Sequence, residues 1–331
     1  MARHKIAVCN TSTFGRVFPE HLERLARLGD VVDVHVDGDC HGEELSRAVA
    51  GADIIITSGT PQFDAEFFDL NPQVKLVARD GLGFNNVDVE AANAIGAYVT
   101  KVEKPVEREA VAELTVALLM DMVRSIEKAH AAANDGRWLD RGSFIGHELL
   151  GMTVGIIGCG NIGTRVAEIL RLGFGMRVLA NDPIEDRQWA SSVGVTYVDL
   201  DTIAAESDVI TTHATLNPTS YHLIGADFLS KVKKGVYIID TARGDIVDQD
   251  AMIAALECDR VRSFGIDAVS VEPPAPDDPY LNNPKVIVTP HIGAYTRQAL
   301  KGMGEKVVRD AELVAAGKEP TNIVCHGKSD D

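Results

Sequence analysis

The sequence predicts an α/β protein built from two doubly wound parallel-sheet domains. Three observations predict it. Short apolar runs of strand length alternate with helix-like stretches along the whole chain, as parallel sheets covered by helices require. The length, 331 residues, exceeds one ordinary core and suits two. From Thr153 to Leu170, an apolar strand runs through glycines spaced G-x-G-x-x-G into a helical pattern, the junction that opens a Rossmann-like sheet.

In chain order, Ile6–Cys9, Val31–Val36, Ile54–Thr57, Lys75–Ala78 and Ala97–Thr100 read as buried strands, with helices such as Pro19–Leu28 and Gly42–Ala50 between them. One small doubly wound sheet accounts for these. Pro105 to about Asn134 reads as a single long helix. Proline is tolerated at a helix opening, Val111, Leu114, Leu118, Met122 and Ile126 recur at helical spacing, and Gly136 supplies a stop. The domain crossover is placed at the head of this helix. Thr153–Ile157, Arg177–Ala180, Val195–Val198, Asp208–Thr212, Val236–Asp240, Ser263–Ala268 and Val286–Thr289 then read as strands of a second sheet. The stretch from about Arg297 to Lys318 is again helical, polar-faced, and able to return to the first domain.

Composition narrows the function. Hydrophobic residues make up 45% and charged residues 24%, an ordinary globular balance that excludes disordered and fibrous classes. Lys plus Arg number 32 against 49 Asp plus Glu, a net charge of −17 that repels nucleic acid and anionic lipid, so neither is expected as a partner. The one compact basic cluster, Lys231, Lys233 and Lys234, is too short for a polyanion groove and reads as solvated surface. The cysteines (Cys9, Cys40, Cys159, Cys258, Cys325) are odd in number and form no C-x-x-C pair. They argue against a disulfide framework or a metal site and for a reducing compartment. No signal-peptide stretch opens the chain, and no apolar run approaches the roughly 18 residues that span a bilayer. A cytoplasmic protein is expected.

The glycine junction carries the first functional reading. Gly158 makes the tight turn, Gly160 lets backbone approach a pyrophosphate, and Gly163 lets helix pack close on strand. The freed amides and positive helix end suit a diphosphate. Gly158, Gly160, Asn161, Ile162 and Gly163 are therefore candidate cofactor contacts. Asp182 follows the next strand, where a carboxylate accepts bonds from adenosine ribose hydroxyls and repels a 2′-phosphate, predicting NAD over NADP, with Arg187 five residues on. Cys159 occupies a variable position of the fingerprint and needs no redox role.

Val154–Gly163, Asp182-Pro183, Lys233–Asp248 (K-K-G-V-Y-I-I-D-T-A-R-G-D-I-V-D), Gly265–Pro273 (G-I-D-A-V-S-V-E-P) and Thr289–Gly293 (T-P-H-I-G) follow one another in the order and spacing of a known family. Over nearly its whole length the chain resembles the D-isomer-specific 2-hydroxyacid dehydrogenases. That resemblance implies a flavodoxin-like substrate-binding domain of residues 1–104 and 297–331, a Rossmann NAD-binding domain of residues 105–296, and a cleft between them. It implies a hydride transfer between NAD and a small 2-hydroxy or 2-oxo acid. Arg243 would bind the substrate carboxylate and polarise the carbonyl, a task suited to a planar permanent cation. His291 would be the general acid or base, and Glu272 its carboxylate partner, raising the imidazole pKa. Glu272 also separates the chain from the formate-dehydrogenase branch, which carries Gln there. Leu82 and Gly83, in the loop Arg79–Asp88, would offer backbone donors to the substrate carboxylate. Asp267 would bond the nicotinamide carboxamide, with His213 and Thr241 beside the nicotinamide ring. The helix from Pro105 resembles the family's dimerisation region, which implies a homodimer.

The chain departs from the family pattern in places. Thr215 replaces a proline after His213, the aromatic of D-V-F is missing from Asp267-Ala-Val269, and Asp80 puts a carboxylate beside the substrate loop, disfavouring anionic distal groups unless Arg79 offsets it. These departures bear on which acid is used. A second function class, an NAD-sensing scaffold like the C-terminal-binding-protein corepressors, shares the same motifs. Those proteins carry a tryptophan where this chain has Ala294, and disordered extensions where almost nothing follows Val324.

Overall fold

Residues 3–324 are described by the computed structural model, and among them twelve strands form two sheets, each parallel throughout. β1 (His4–Cys9), β2 (Gly29–Val34), β3 (Ile54–Thr57), β4 (Leu76–Arg79) and β5 (Tyr98–Thr100) lie in the order β2-β1-β3-β4-β5. β6 (Thr153–Ile157), β7 (Arg177–Asn181), β8 (Val195–Tyr197), β9 (Val209–Thr212), β10 (Val236–Asp240), β11 (Val261–Ile266) and β12 (Val286–Val288) lie in the order β12-β11-β10-β9-β6-β7-β8. The first is the flavodoxin-like order, and the second is the Rossmann order with one strand added. Two compact units hold them: the chain up to Glu107 with the chain from Tyr295 onward, and Arg108–Ala294.

Both faces of both sheets are covered, and this is why the strands read as unbroken apolar runs. Side chains alternate along a strand, so each strand feeds two cores. Ile54 and Ile56 of β3 enter one cluster and Ile55 the other. Tyr237 and Ile239 of β10 face the cluster under the helix Pro105–Arg124, while Val236 and Ile238 face the opposite one. Each such fully buried isoleucine contributes about 1.5–3 kcal/mol relative to exposure.

Strand order reverses beside β1 in one sheet and beside β6 in the other, so β1 pairs with β3 and β6 with β9. Doubly wound sheets bind ligands outside the carboxyl ends of the strands at such points.

Two expectations are corrected. The single helix read over Pro105–Asn134 is two, Pro105–Arg124 and Ile126–Asn134, parted by Ser125 at φ +52°. Asp121 spans the break: its carbonyl keeps the ordinary helix bond from the Ser125 N–H at 2.6 Å, while its carboxylate accepts the Glu127 N–H at 2.9 Å, satisfying a first-turn amide of the second helix. The helix Arg297–Ala315 is not merely polar-faced. Val307, Val308, Ala311 and Val314 pack against Ile6, Val8, Ile54 and Leu76, and Lys306 and Asp310 are buried as a bonded pair. Past it, Ile323 bridges antiparallel to Thr100 of β5, and Val324 N–H donates to Val99 O at 2.8 Å.

Lys231 bonds Asp201 and Asp227, and Lys233 bonds Asp208, so that basic cluster is largely matched by acid. Among the described residues no helix is long and apolar enough to cross a membrane. Cys9, Cys40, Cys159 and Cys258 are free thiols; Cys325 lies outside the described residues.

Candidate active site

The glycine loop follows β6 at the switch point of the larger sheet. Gly158 has φ +86°, and a Cβ there would lie 2.4 Å from Ala214 N, so only glycine fits. A Cβ on Gly163 would lie 2.0 Å from Gly158 O, the close helix–strand approach the motif demands. Gly160 differs from both: nothing lies within 4 Å of its missing Cβ, so its side of the loop faces open space. The helix Asn161–Glu168 begins there with no side-chain cap and no acid in its first turn. A helix opening without a side-chain cap from Gly160, its positive end and an unobstructed backbone fit a diphosphate.

Asp182, just past β7, is tied to this loop. Its carboxylate accepts the Cys159 N–H at 2.6 Å and the Ile184 N–H at 2.9 Å, which leaves acceptor capacity for ribose hydroxyls. Arg187 is exposed and paired with Glu185 at 2.8 Å, so its charge is already answered. Burial pushes the Cys159 thiol up to about 12, keeping it protonated and inert. The residues fit the dinucleotide the loop predicts.

His213 ends β9. Its Nε2 bonds the Thr211 hydroxyl at 3.0 Å, and its buried Nδ1 has no partner among the described residues. Burial drives its pKa down to about 3, so the ring is neutral. Thr241, past β10, meets the Thr115 hydroxyl at 2.9 Å; Thr115 donates to Val111 O, so Thr241 is the donor of that pair. Nothing in the local sequence marked Thr115.

Arg243 is half-buried, two residues further, with Nη1 donating to Ala242 O at 2.6 Å. A Cβ on Gly244 would lie 2.3 Å from Ser270 N, so the T-A-R-G turn is pressed against the segment after β11. That segment starts at Asp267, whose buried carboxylate accepts from Thr289 Oγ1 (2.6 Å), Ile292 N–H (2.9 Å) and Gly293 N–H (2.8 Å). Asp267 thus holds the turn that carries His291, and about one of its four acceptor sites stays open. His291 sits at φ +52° and its N–H donates to Asp267 O at 2.9 Å. Both Glu272 oxygens lie on His291 Nδ1, at 2.9 and 2.8 Å. The Glu272 bond raises the His291 pKa; burial and the Arg243 charge oppose it. With Nδ1 committed to Glu272, Nε2 is the nitrogen left to exchange a proton. The Arg243 charge acts on His291, so the two groups share one electrostatic neighbourhood at the carboxyl edge of β10, β11 and β12.

Leu82 and Gly83 belong to the smaller sheet's unit, in the loop after β4. Leu82 N–H donates to Glu107 Oε1 at 3.1 Å, and Gly83 O accepts from Arg79 Nε at 2.8 Å. Arg79 is buried, and its Nη1 also donates to Thr57 O and Ser58 O, so Nε and Nη1 are both given to loop carbonyls. Burial pushes Asp80 up to about 7, against the Arg79 charge and with help from Glu107. Glu107 escaped the sequence reading because its part depends on a contact 25 residues back along the chain.

Residues 116–293 match the family described as D-isomer specific 2-hydroxyacid dehydrogenase, NAD binding domain. The chain is 36% identical over 293 residues to the D-3-phosphoglycerate dehydrogenase of Archaeoglobus fulgidus, covering 88% of this chain and 55% of that one. It is 33% identical over 279 residues to the glyoxylate reductase of Korarchaeum cryptofilum, covering 83% of each. The D-lactate dehydrogenase of Aquifex aeolicus, solved with NAD and lactic acid, superposes with a TM-score of 0.84 at 26% identity, covering 98% of this chain and 100% of that one. The chain spans about half the length of several phosphoglycerate dehydrogenases it matches.

Proposed function

The chain belongs to the D-isomer specific 2-hydroxyacid dehydrogenase family, and we propose that it is an NAD-dependent oxidoreductase acting on a small D-2-hydroxy or 2-oxo acid. NAD, when bound, supplies or takes up the hydride. The unit Arg108–Ala294 would hold it at Gly158, Gly160, Asn161, Ile162, Gly163 and Asp182, with His213, Thr241 and Asp267 toward the nicotinamide. Arg243 binds the substrate carboxylate and draws electron density from the carbonyl. His291 donates a proton to the carbonyl oxygen in reduction and removes it in oxidation, while Glu272 stabilises the imidazolium. In the other unit, Leu82 and Gly83 are the backbone donors assigned to substrate binding; the Leu82 amide, given to Glu107 at 3.1 Å, would have to be released for that role.

One observation carries this reading. Glu272 is bonded to His291 at 2.8 Å, at the carboxyl edge of the sheet whose switch point bears the glycine loop, and the Arg243 turn follows β10 at the same edge. We further propose a homodimer in a reducing, cytoplasmic setting, the latter on the scattered, unpaired cysteines.

The test is NADH oxidation with glyoxylate, pyruvate, hydroxypyruvate and 3-phosphohydroxypyruvate, each with NADPH in parallel. Turnover with at least one acid, faster with NADH, is expected. His291→Ala should lower kcat by about 10²–10⁴-fold while NADH still binds. No turnover on any acid would overturn the enzyme reading and leave an NAD-responsive binding protein.

A further inference from the structure

A buried carboxylate that the mechanism does not use lies directly behind Arg243. Asp240 ends β10 with no solvent exposure. Its Oδ1 accepts two bonds of 2.7 Å, from Thr212 Oγ1 of the neighbouring strand and from Ala242 N–H of the turn. Its Oδ2 is buried without a hydrogen-bond partner among the described residues. Its backbone carbonyl accepts the Asp267 N–H at 3.0 Å, so Asp240 joins β9, β10 and the start of the segment that orients His291. Ala242 is gripped at both ends, its N–H by Asp240 and its carbonyl by Arg243 Nη1. On the far side, the bare Gly244 lets the turn abut Ser270.

We propose that Asp240 is a positioning residue for Arg243, fixing the direction of the guanidinium through Ala242 and moderating its pull on the substrate carboxylate. The inference rests on Arg243 as the carboxylate-binding group. An aspartate does two things here that an amide would not do together: it accepts the turn's N–H and it carries a charge. The charge is costly in this place. Burial raises the Asp240 carboxyl to about 7, although the Ala242, Thr212 and Arg243 contacts all oppose the shift. The groups facing it are Thr212 of β9, Ala242 and Arg243 of its own turn, and Tyr280, a buried ring whose unpartnered hydroxyl feels the Asp240 charge. His291 enters through Arg243.

The sign follows. Ionised Asp240 offsets part of the Arg243 charge, so an anionic substrate binds less well above about pH 7 and better below it. A single charge near the guanidinium in a half-buried site is worth on the order of three- to tenfold in KM. His291 also titrates, so a simple pH profile mixes two groups; comparison with Asp240→Asn separates them, because the His291 contribution is common to both proteins.

The experiment measures KM for the best 2-oxo acid, with saturating NADH, from about pH 6 to about pH 8.5 in the wild type, Asp240→Asn, Asp240→Ala and Arg243→Gln. The ratio of wild-type to Asp240→Asn KM is expected near one at the acid end, rising on the order of three- to tenfold at the alkaline end. Asp240→Ala, lacking the acceptor, should raise KM more than about tenfold throughout, with NADH affinity kept, and the Asn variant should rescue that loss. A ratio constant with pH overturns the charge role, and equal KM values for the Asn and Ala variants overturn the clamp. If Arg243→Gln leaves KM unchanged, the fault lies in the assignment of Arg243 itself.

Discussion

His291 sits in a backbone conformation that non-glycine residues seldom adopt, held there by the bonds Asp267 accepts from Thr289, Ile292 and Gly293. Its proton is governed by Glu272. Because the folded pKa is raised, the imidazolium that the proposed reduction calls for persists through the ordinary histidine range and is lost as pH climbs through the raised value. Glu272→Gln removes the leading cause, leaving burial and the Arg243 charge opposed only by Asp267. The alkaline limb of kcat/KM for reduction should then move acidward; a limb that stays put removes Glu272 from the proton path. At Asp182, alanine should raise the NADPH-to-NADH ratio of kcat/KM at least about tenfold, and weaken NADH too, since the Cys159 amide loses its acceptor. Asp80 and Asp240 make a different statement, about stability. Both carboxyls are raised to about 7, so the folded state holds protons the unfolded chain releases near pH 4. Their contribution is fully present below the unfolded value and lost as pH rises through about 7. Asp80→Asn should flatten the fall in Tm between about pH 5 and pH 8, retaining on the order of 2–4 kcal/mol at the alkaline end. A curve parallel to the wild type would show that Asp80 ionises without cost. Short motifs made His291, Glu272, Arg243 and the glycines legible, because those words are local. Thr115, Glu107 and the bond of Asp240 to Thr212 were not, since their partners lie 126, 25 and 28 residues away.

At the scale of elements, every strand was read to within about two residues, because a strand covered on both faces must be apolar along its length. Helices were read less well. The break at Ser125 hides inside a continuous apolar period and shows only in the Ser125 backbone and in the Asp121 carboxylate that caps the Glu127 N–H beyond it. The helix Arg297–Ala315 shows the opposite failure: Lys306 and Asp310 look like solvent-facing residues, yet they are 2% and 0% exposed in their side chains. They bond each other, and both hold Thr321, Lys306 through its carbonyl and Asp310 through its N–H. The pair therefore anchors the chain that runs on to bridge β5. Removing one partner strands a buried charge, which costs far more than the pair contributes. Lys306→Ala should cost about 3–5 kcal/mol in denaturant unfolding, whereas Lys306→Met with Asp310→Leu should recover most of it. Loss of less than about 1 kcal/mol in the single variant would mean water reaches the site.

For the whole molecule, fold class was the easiest thing to read and assembly the hardest. The alternation of strands and helices leaves few arrangements, because crossovers between parallel strands are right-handed and short. A self-association surface leaves no comparable periodicity, only residues that do not belong where they are found. Ile126, Trp138, Leu139, Ile145, Leu150 and Leu172 are all more than half exposed, and five of them fall in the single stretch from Ile126 to Leu150. A shallow groove lined by Met120, Arg124, His147, Leu150 and Phe174 lies in the same unit. Single exposed apolar residues are ordinary; so many large ones in one stretch of chain are the surface on which the proposed homodimer would form. A chain of net charge −17 resists collecting copies of itself unless buried apolar surface outweighs the repulsion, and added salt should tighten the association by screening it. Sedimentation is expected to give twice the monomer mass at micromolar concentration, more completely at higher salt. Trp138→Glu combined with Ile145→Glu should return it to the monomer, since each large side chain contributes about 1.5–3 kcal/mol when covered. A wild-type protein that sediments as a monomer at every salt concentration would mean that these side chains stay in water, and the dimer would have to be abandoned.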